Sequence, residues 1–561
     1  MCTVRGVVTF GASTRLALCL ALLAGCGGDD VRRSADHEVV WVDPDTHPFE
    51  GPPEVVYSSF VWDGVDHSVV RPAIEAGRLR APREAANVNA MDEVPSSSWY
   101  VNRLAARTMT PAEVARGPCD DTSSPPEPWT IVEGKPDGSN PGFVVRDAAG
   151  DLHLLKPDGG FQPERASAAD AIASRIWHAA GFFVPCNRVV LVEPDRLERA
   201  PDAQIERTNG DREPLTEGHV EAVLAHAAPT PDGRFRMLAS QFVEGEPLGH
   251  WRYEGTRADD PNDVIAHESR RELRAQRLLS AWTNRVDARH ENTLEAWIAV
   301  DARRGYLRHY VIDFGDCFGV LVHHSVALSR RLGHSGYFDV EHLTVDLLTL
   351  GRLDRPWDEP RRGAAWPTLG YYDAEGFDPE AWRPGYPNPA YDRMTEADAA
   401  WMARIIARLT PRHLAALVRV GRFSDPVVAA ELSRILAARR IAILERYLTA
   451  LSPLAWPRVE VVDGAPRVCL QDLAVWTSIR DAESRRYRAE AVGAELPQPP
   501  FASGDAQVCL PLPAGAGDLV VDVYASSVDR EEAHPARLRL RVEGGGARLL
   551  GLERPVVERA R

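Results

Sequence analysis

Two polar stretches flank a predicted β-hairpin near the middle of the chain. After a predicted apolar helix, Asp287 and Asn292 follow with the spacing D-x-x-x-x-N. Two strand-like runs, 293–300 and 306–312, come next and lead into Asp313-Phe314-Gly315. A hairpin returns the chain to its starting point, so we treat the two polar stretches as parts of one candidate site.

A β-rich segment precedes this region, and a mostly helical segment surrounds and follows it. In the first segment the apolar runs predict strands at 129–133, 143–146, 152–156, 189–192 and 235–243, with a helix at 166–180. Helices are predicted at 268–284, 340–351, 395–408, 411–420, 426–437 and 438–451. The last hundred residues alternate in short strands with Gly and Pro turns. The fold class is therefore predicted to be α+β.

Lysine is rare in this chain. Of the 65 basic residues only Lys135 and Lys156 are Lys, and all the others are Arg. A coding bias that favours Arg over Lys explains this ratio. A Lys that is present despite the bias indicates a place where a guanidinium does not replace an ammonium. Lys156 ends the third predicted strand, where the alternative role is a cation whose stem covers apolar surface. Lys135 lies in a Gly-rich turn, and facing solvent there is its alternative.

The order of these features resembles that of kinase-like phosphotransferases, near the phosphatidylinositol 3/4-kinase-like and HipA-like bacterial proteins. The resemblance covers about residues 129–450. It implies a two-lobed protein-kinase-like fold that binds ATP and Mg²⁺ between a β-rich small lobe and a helical large lobe. The stretch from Arg270 to Gly315 is also similar to a family of bacterial lipoproteins with no established substrate.

The resemblance implies a role for each candidate residue. Lys156 would bind nucleotide phosphates and Asp170 would orient it, with Glu164 as the alternative carboxylate. Lys135 and Gly138 would lie in the turn over the phosphates, and Gln241 and Val243 would meet the adenine. Asp287 would be the catalytic base, while Asn292 and Asp313 would be the metal ligands.

Several departures from the kinase pattern leave the acceptor substrate unspecified. Arg285-Val286 stands where ordinary protein kinases have His-Arg, and Arg289-His290 is displaced by one residue from the lipid-kinase pattern. The helix carboxylate is Asp170, which is one methylene shorter than the usual Glu. No A-P-E follows Asp313-Phe314-Gly315. Transfer of a nucleotidyl group instead of a phosphoryl group also remains an alternative.

The N-terminus resembles a bacterial lipoprotein signal. Arg5 and Arg15 precede the apolar stretch 16–24, which ends in Leu23-Ala24-Gly25-Cys26. The resemblance implies cleavage before Cys26, a lipid on that cysteine, and attachment to the bacterial cell envelope at the periplasmic or outer-membrane face. A plain secretory signal with a chance cysteine is the alternative.

Charge and cysteine content limit which partners and which cellular compartment are expected. The net charge of −16 argues against a non-specific nucleic-acid binder. Cys469 and Cys509 lie in similar strand contexts, where they form either a disulfide or two separate buried thiols. The predicted organisation is a signal peptide at 1–25, a tether and extended arm at 26–95, a small lobe at 96–250, a large lobe at 251–453 and a β-sandwich-like domain at 454–561.

Three functions fit the sequence. The first is a membrane-tethered kinase-like phosphotransferase using Mg-ATP. The second is a pseudokinase-like binding or scaffold lipoprotein, since ATP is normally absent outside the inner membrane. In the third, the C-terminal β domain binds envelope partners and the rest of the chain supports it.

Overall fold

The computed structural model describes residues 38–56, 65–66, 70–71, 74, 83–121, 123–135, 141–206, 212–355, 357–528 and 534–555. The signal sequence, Cys26 and Gly138 lie outside the described residues. The described part contains both helices and several sheets, so the predicted α+β class is confirmed. No helix in that part is long and apolar enough to cross a membrane.

The first part of the chain builds a large sheet with helices beside it. Its elements are β1 (Phe49–Glu50), α1 (Pro111–Arg116), β2 (Trp129–Lys135), β3 (Gly142–Arg146), β4 (Leu152–Pro157), α2 (Arg165–Ala180), β5 (Asn187–Val192), β6 (Leu197–Glu206), β7 (Arg212–Pro214), α3 (Glu217–Leu224) and β8 (Phe235–Gln241). Seven of the strands form one sheet in the order β5-β8-β4-β3-β2-β6-β7. All neighbours are antiparallel except β2 and β6.

Helix α2 packs against β5 and β8 and is almost entirely buried. Seven of its sixteen residues are Ala, and such small side chains let neighbouring elements approach the helix closely. It ends at Gly181, where φ is +129° and an added Cβ would lie 2.0 Å from the Tyr100 ring. Both the backbone conformation and the lack of space therefore require glycine at this end of α2.

The middle of the chain combines a smaller sheet with a helical core. Its elements are β9 (Glu246–Gly249), α4 (Arg271–Thr283), β10 (Thr293–Ala299), β11 (Arg304–Val311), α5 (Val326–Arg331), α6 (Val340–Thr349), α7 (Glu396–Ala407), α8 (Pro411–Val420) and α9 (Pro426–Ile443). The predicted hairpin is present as β10 and β11, and the sheet order is β1-β11-β10-β9. The apolar faces of α2, α4, α7, α8 and α9 share one core.

The C-terminal part forms two four-stranded antiparallel sheets around a common apolar core. Its elements are β12 (Leu454–Val462), β13 (Ala465–Asp472), α10 (Leu473–Trp476), β14 (Arg485–Ala491), β15 (Phe501–Ser503), β16 (Gln507–Pro511), β17 (Gly517–Ser527), β18 (Ala536–Glu543) and β19 (Gly546–Glu553). The sheet orders are β12-β13-β16-β15 and β14-β17-β18-β19. Cys469 and Cys509 are paired across β13 and β16 and form a disulfide.

Some predicted elements differ from the observed ones. The two helices predicted at 426–437 and 438–451 are instead α9 followed by a single π-helical turn, Leu444–Leu448. No Gly, Pro or capping residue interrupts the sequence around 437, so nothing ends the helix there. The strand predicted to reach residue 243 ends at Gln241. Strands β6 and β7 and helix α3 were not predicted.

The N-terminal residues that the structure describes pack on the rest of the chain. Strand β1 pairs with β11, and the backbone N–H of Ser98 donates to Asp45 Oδ1 at 2.9 Å. Asp92 forms ion pairs with Arg271 of α4, Arg404 of α7 and Arg554 after β19. One carboxylate therefore links three distant parts of the sequence.

Candidate functional site

Lys156 and Asp313 meet although they are 157 residues apart in the sequence. Lys156 lies near the end of β4, Asp313 follows β11, and Lys156 Nζ is 3.2 Å from Asp313 Oδ2. Their side chains are 12% and 42% exposed, so the pair is open to solvent on the Asp313 side. The Lys156 cation lowers the pKa of Asp313 to about 2, so this carboxylate is ionised at neutral pH. Burial opposes the charge on Lys156, but Asp313 and Asp170 outweigh burial and raise its pKa.

Asp170 holds the turn that carries Asp313. Its Oδ1 accepts the backbone N–H of Phe314 at 2.8 Å and the side-chain N–H of Asn187 at 3.3 Å. The turn needs this support because Asp313 adopts a left-handed φ of +52°. Gly315 leaves room beside it, since an added Cβ would lie 3.0 Å from Asp170 Oδ2 and would displace that carboxylate. Burial and the neighbouring Asp313 raise the pKa of Asp170 to about 7.

The predicted orienting contact between Asp170 and Lys156 is therefore mainly electrostatic. Asp170 attracts the Lys156 cation, but the described hydrogen bond of Lys156 goes to Asp313. The alternative carboxylate, Glu164, precedes α2 and accepts the backbone N–H of Ser424 at 3.0 Å. Asp170 is accordingly the helix carboxylate that belongs to the site.

Asp287 and Asn292 lie beside the Asp313 turn, at the start of the hairpin. The backbone N–H of Asp287 donates to Asp316 Oδ2 at 2.7 Å, and Asn292 Nδ2 donates to the Asp287 carbonyl at 2.7 Å. The backbone N–H of Ile312 donates to the Asn292 carbonyl at 3.1 Å. These bonds join the polar loop to the residues around Asp313, so the two polar stretches flanking the hairpin are neighbours.

The Asp287 carboxylate is a quarter exposed and forms an ion pair with Arg289, with Oδ1 and Nε 2.9 Å apart. Burial raises the pKa of Asp287, while the Arg289 cation opposes that rise. Burial and the neighbouring Asp287 likewise raise the pKa of Asp316 to about 7, against the effect of Arg285. The site thus contains carboxyl groups of very different acidity within a few residues of one another.

Arg285 joins the two sides of the site, a role that the sequence analysis missed. It is fully buried, and its Nη2 donates to the Ile312 carbonyl at 2.8 Å and to the Asn292 carbonyl at 3.4 Å. The guanidinium carbon also lies 4.9 Å from the centre of the Phe314 ring. The signal in the sequence is Arg285 itself, two positions before Asp287, where it departs from the kinase pattern.

The remaining predicted residues lie around this centre. Strand β2 extends as far as Lys135, and the Lys135 cation contributes to the lowered pKa of Asp313. Gly138 lies outside the described residues. Val243 is half-buried in the short connection between β8 and β9.

The backbone N–H of Gln241 already donates to the Cys186 carbonyl at 2.9 Å. The Gln241 side chain accepts from Arg188 at 3.4 Å. The backbone N–H of Gln241 is therefore already paired within the sheet, and the contact of Gln241 and Val243 with adenine stays a prediction.

The oxygen donors of the site are suited to a hard divalent cation. Asp313 supplies an ionised carboxylate, and the amide of Asn292 is oriented by its bond to the Asp287 carbonyl. In the described part of the chain, no three His, Cys, Asp or Glu side chains are grouped to hold a metal by themselves. Two protein ligands suit Mg²⁺, which commonly completes its shell with phosphates and water.

Comparisons with known proteins give one weak structural similarity. No protein-family model matches the chain, and no curated protein matches it. The crystal structure of the Golgi casein kinase is similar over 58% of this chain and 75% of that chain, at 11% identity and a TM-score of 0.24. A similarity at this level is not sufficient to assign the fold, so the site is interpreted below from its own geometry.

Proposed function

We propose that this protein is a two-lobed, kinase-like phosphotransferase that uses Mg-ATP, with the C-terminal sheets forming a separate β domain. The observation that carries this proposal is the meeting of Lys156 and Asp313 at 3.2 Å, next to Asp287 and Asn292. Phosphoryl transfer asks a protein mainly to position groups and to neutralise charge. A Lys near the end of a strand, an ionised Asp in a turn and an Asp–Asn pair on a loop are the groups that this chemistry uses.

Lys156 and Asp313 would have different roles at the phosphates. Lys156 keeps its cation, because Asp313 and Asp170 raise its pKa, and it would donate to phosphate oxygens. Asp313 and Asn292 would hold Mg²⁺, which would supply positive charge to neutralise the phosphates. Asp170 would keep Asp313 in place through the backbone of Phe314.

Asp287 would orient the acceptor and take its proton. Its carboxylate is partly exposed, and its backbone is held by Asp316 and Asn292. Burial raises its pKa, and a general base needs a pKa moved toward the working pH. Arg289, which pairs with this carboxylate, would have to release it or rotate with it when an acceptor binds.

The test is nucleotide binding and transfer by the full-length chain. We expect ATP with Mg²⁺ or Mn²⁺ to raise the melting temperature, and mass spectrometry to detect phosphate on the protein or on an added acceptor. Lys156→Met and Asp313→Asn should each reduce transfer by about 100-fold or more, the range seen when one charge-stabilising group is removed. Asp301→Asn, in the exposed turn between β10 and β11, is the matched control and should retain full activity.

Two results would contradict the proposal. One is full transfer by both Lys156→Met and Asp313→Asn, which would show that the site lies elsewhere. The other is binding of Mg-ATP without transfer to any acceptor, which would indicate a pseudokinase-like binding protein. Addition of AMP instead of phosphate would reassign the reaction to nucleotidyl transfer.

We also propose that the protein is anchored to the bacterial cell envelope through a lipid on Cys26. Support comes from the sequence Leu23-Ala24-Gly25-Cys26 after a short apolar stretch. Metabolic labelling with a radioactive fatty acid should mark the wild-type protein and the Cys19→Ser control, and should fail for Cys26→Ser. Label on Cys26→Ser would show that the proposed anchor is wrong.

A further inference from the structure

A cavity lies away from the candidate site, between α1, α2, β5 and α8. Its volume is about 620 Å³, within the usual range for small-molecule sites. Apolar side chains such as Pro111 and Val189 form much of its wall. Four arginines also line it: Arg175, Arg188, Arg419 and Arg422.

The charge of this cavity is opposite to that of the whole chain. The described residues that line it include no Asp or Glu, although the protein carries a net charge of −16. An acidic protein has ample carboxylates with which to neutralise its arginines, as Asp92 does elsewhere. Four guanidinium groups around one concave, mostly apolar surface therefore indicate a site for an anion.

The hydrogen bonding of Arg188 leaves capacity for a ligand. Arg175 is buried and already bonded, since its Nη1 donates to the carbonyls of Ala171 and Asn187 and its Nε to that of Ala115. Arg188 is 13% exposed and reaches one carboxylate, that of the exposed Asp121, at 3.3 Å. Its Nε is buried, and no described group accepts from it. Burial and the nearby Arg188 lower the pKa of Arg175 to about 10, which is the effect of like charges brought together out of water.

We propose that this cavity binds a soluble amphiphilic anion, with a phosphate or carboxylate head and a hydrocarbon body. Arg188 and Arg419 would bind the head through charge-assisted hydrogen bonds, and the apolar wall would bury the body. The proposal concerns a site separate from Lys156 and Asp313 and does not depend on the phosphotransferase function.

The cavity is connected to the candidate site through β5. Arg188 donates to Gln241 at the end of β8, and Asn187, the residue before it, donates to Asp170 at 3.3 Å. Arg175 holds the Asn187 carbonyl at 2.6 Å. A ligand bound to Arg188 would therefore lie next to Asn187, whose side chain is bonded to Asp170, the residue that supports the Asp313 turn.

The test is calorimetric titration of the full-length chain with octyl phosphate below its micelle concentration. We expect saturable binding of one molecule per chain. Inorganic phosphate and octanol, which each carry one half of the proposed ligand, should bind at least tenfold more weakly. Arg419→Glu should raise the Kd of octyl phosphate at least tenfold, equivalent to about 1.4 kcal/mol.

Arg412→Glu is the matched control, because Arg412 is exposed on the same helix, α8, and does not line the cavity. Its Kd should stay within twofold of the wild-type value. Arg419 is also exposed, so neither change removes buried packing, and equal melting temperatures of the two variants will verify this. The proposal is overturned by absence of saturable binding, by an unchanged Kd in Arg419→Glu, by an equal loss in Arg412→Glu, or by octanol or inorganic phosphate binding as tightly as octyl phosphate.

Discussion

Asp92 offers a direct test of how distant parts of this chain are held together. Its Oδ1 lies 2.5 Å from Arg271 Nη1, and its Oδ2 lies 2.8 Å from Arg404 Nη2 and 2.6 Å from Arg554 Nη1. The three arginine side chains are at most 4% exposed, and Asp92 is 12% exposed. Replacing Asp92 by Asn removes the charge and keeps the size, so the substitution isolates the electrostatic contribution.

The expected loss in the free energy of unfolding of Asp92→Asn is large. Burial opposes ionisation of Asp92, but the three guanidinium groups outweigh burial and hold its pKa well below the ordinary range. Removing one partner from a buried ion pair costs about 3–5 kcal/mol, because the remaining charge stays buried. Arg271 keeps a second partner, Asp398, at 3.2 Å, so we expect the lower end, about 3 kcal/mol. That is a large share of the 5–15 kcal/mol typical of folded proteins.

The effect should depend on pH in a defined direction. The pKa of Asp92 is lower in the folded protein than in the unfolded chain, where it is about 3.9. Its stabilisation is therefore complete above about pH 5 and is lost as the pH falls below that unfolded value. The difference between wild type and Asp92→Asn should shrink by about 1.4 kcal/mol for each pH unit below 3.9.

Urea unfolding followed by tryptophan fluorescence at pH 7 and pH 3 measures both effects. Asp518→Asn is the control, because Asp518 is exposed and its partner Arg541 is on the surface of the C-terminal sheets. This control should leave the unfolding midpoint unchanged. A loss below 1 kcal/mol for Asp92→Asn at pH 7, or an equal loss at pH 3, would refute the reasoning.

Three further predictions concern the site and a second disulfide, between Cys119 and Cys186. Lys156→Arg should weaken ATP binding at least tenfold in a thermal-shift titration, because a guanidinium does not replace a compact ammonium; wild-type affinity would count against this. Burial and Asp287 raise the pKa of Asp316 to about 7, so the contribution of Asp316 to stability should fall as the pH rises from 4 to 7. Asp316→Asn cannot ionise, so its melting temperature relative to wild type should rise between pH 5 and pH 8, and a constant difference would be the contrary result. Replacing both Cys119 and Cys186 by Ser should lower the free energy of unfolding by about 4 kcal/mol, from a loop of 67 residues, and an unchanged urea midpoint would contradict this.

Local sequence pattern was sufficient for the longer helices and for seven of the strands, β2 to β5, β8, β10 and β11. Hydrophobic periodicity predicted α2, α4, α7 and α8 within three residues of their observed bounds, since each has one continuous apolar pattern with end signals. The failures have local causes as well. β6 and β7 contain few apolar residues, so no strand pattern marks them. The predicted break within α9 had no residue to produce it.

Spacing along the chain also indicated part of the candidate site. The hairpin strands β10 and β11 are adjacent in sequence, so the residues before and after them had to be neighbours. That reasoning relates Asn292 to Asp313 without knowledge of the tertiary structure. The rarity of lysine separately marked Lys156, which the structure brings to the same place.

Contacts between distant segments were decided only by the tertiary structure. The sequence by itself determined the α+β class, the hairpin and the residue types available for chemistry, because these depend on neighbours within a few turns or strands. Tertiary packing decided that Lys156 pairs with Asp313, that Asp170 holds the Phe314 backbone and that buried Arg285 joins both sides. It also brought Cys119 to Cys186 and four arginines to one cavity. The physical reason is that each of these contacts depends on how sheets and helices pack, and no periodicity within a single segment encodes it.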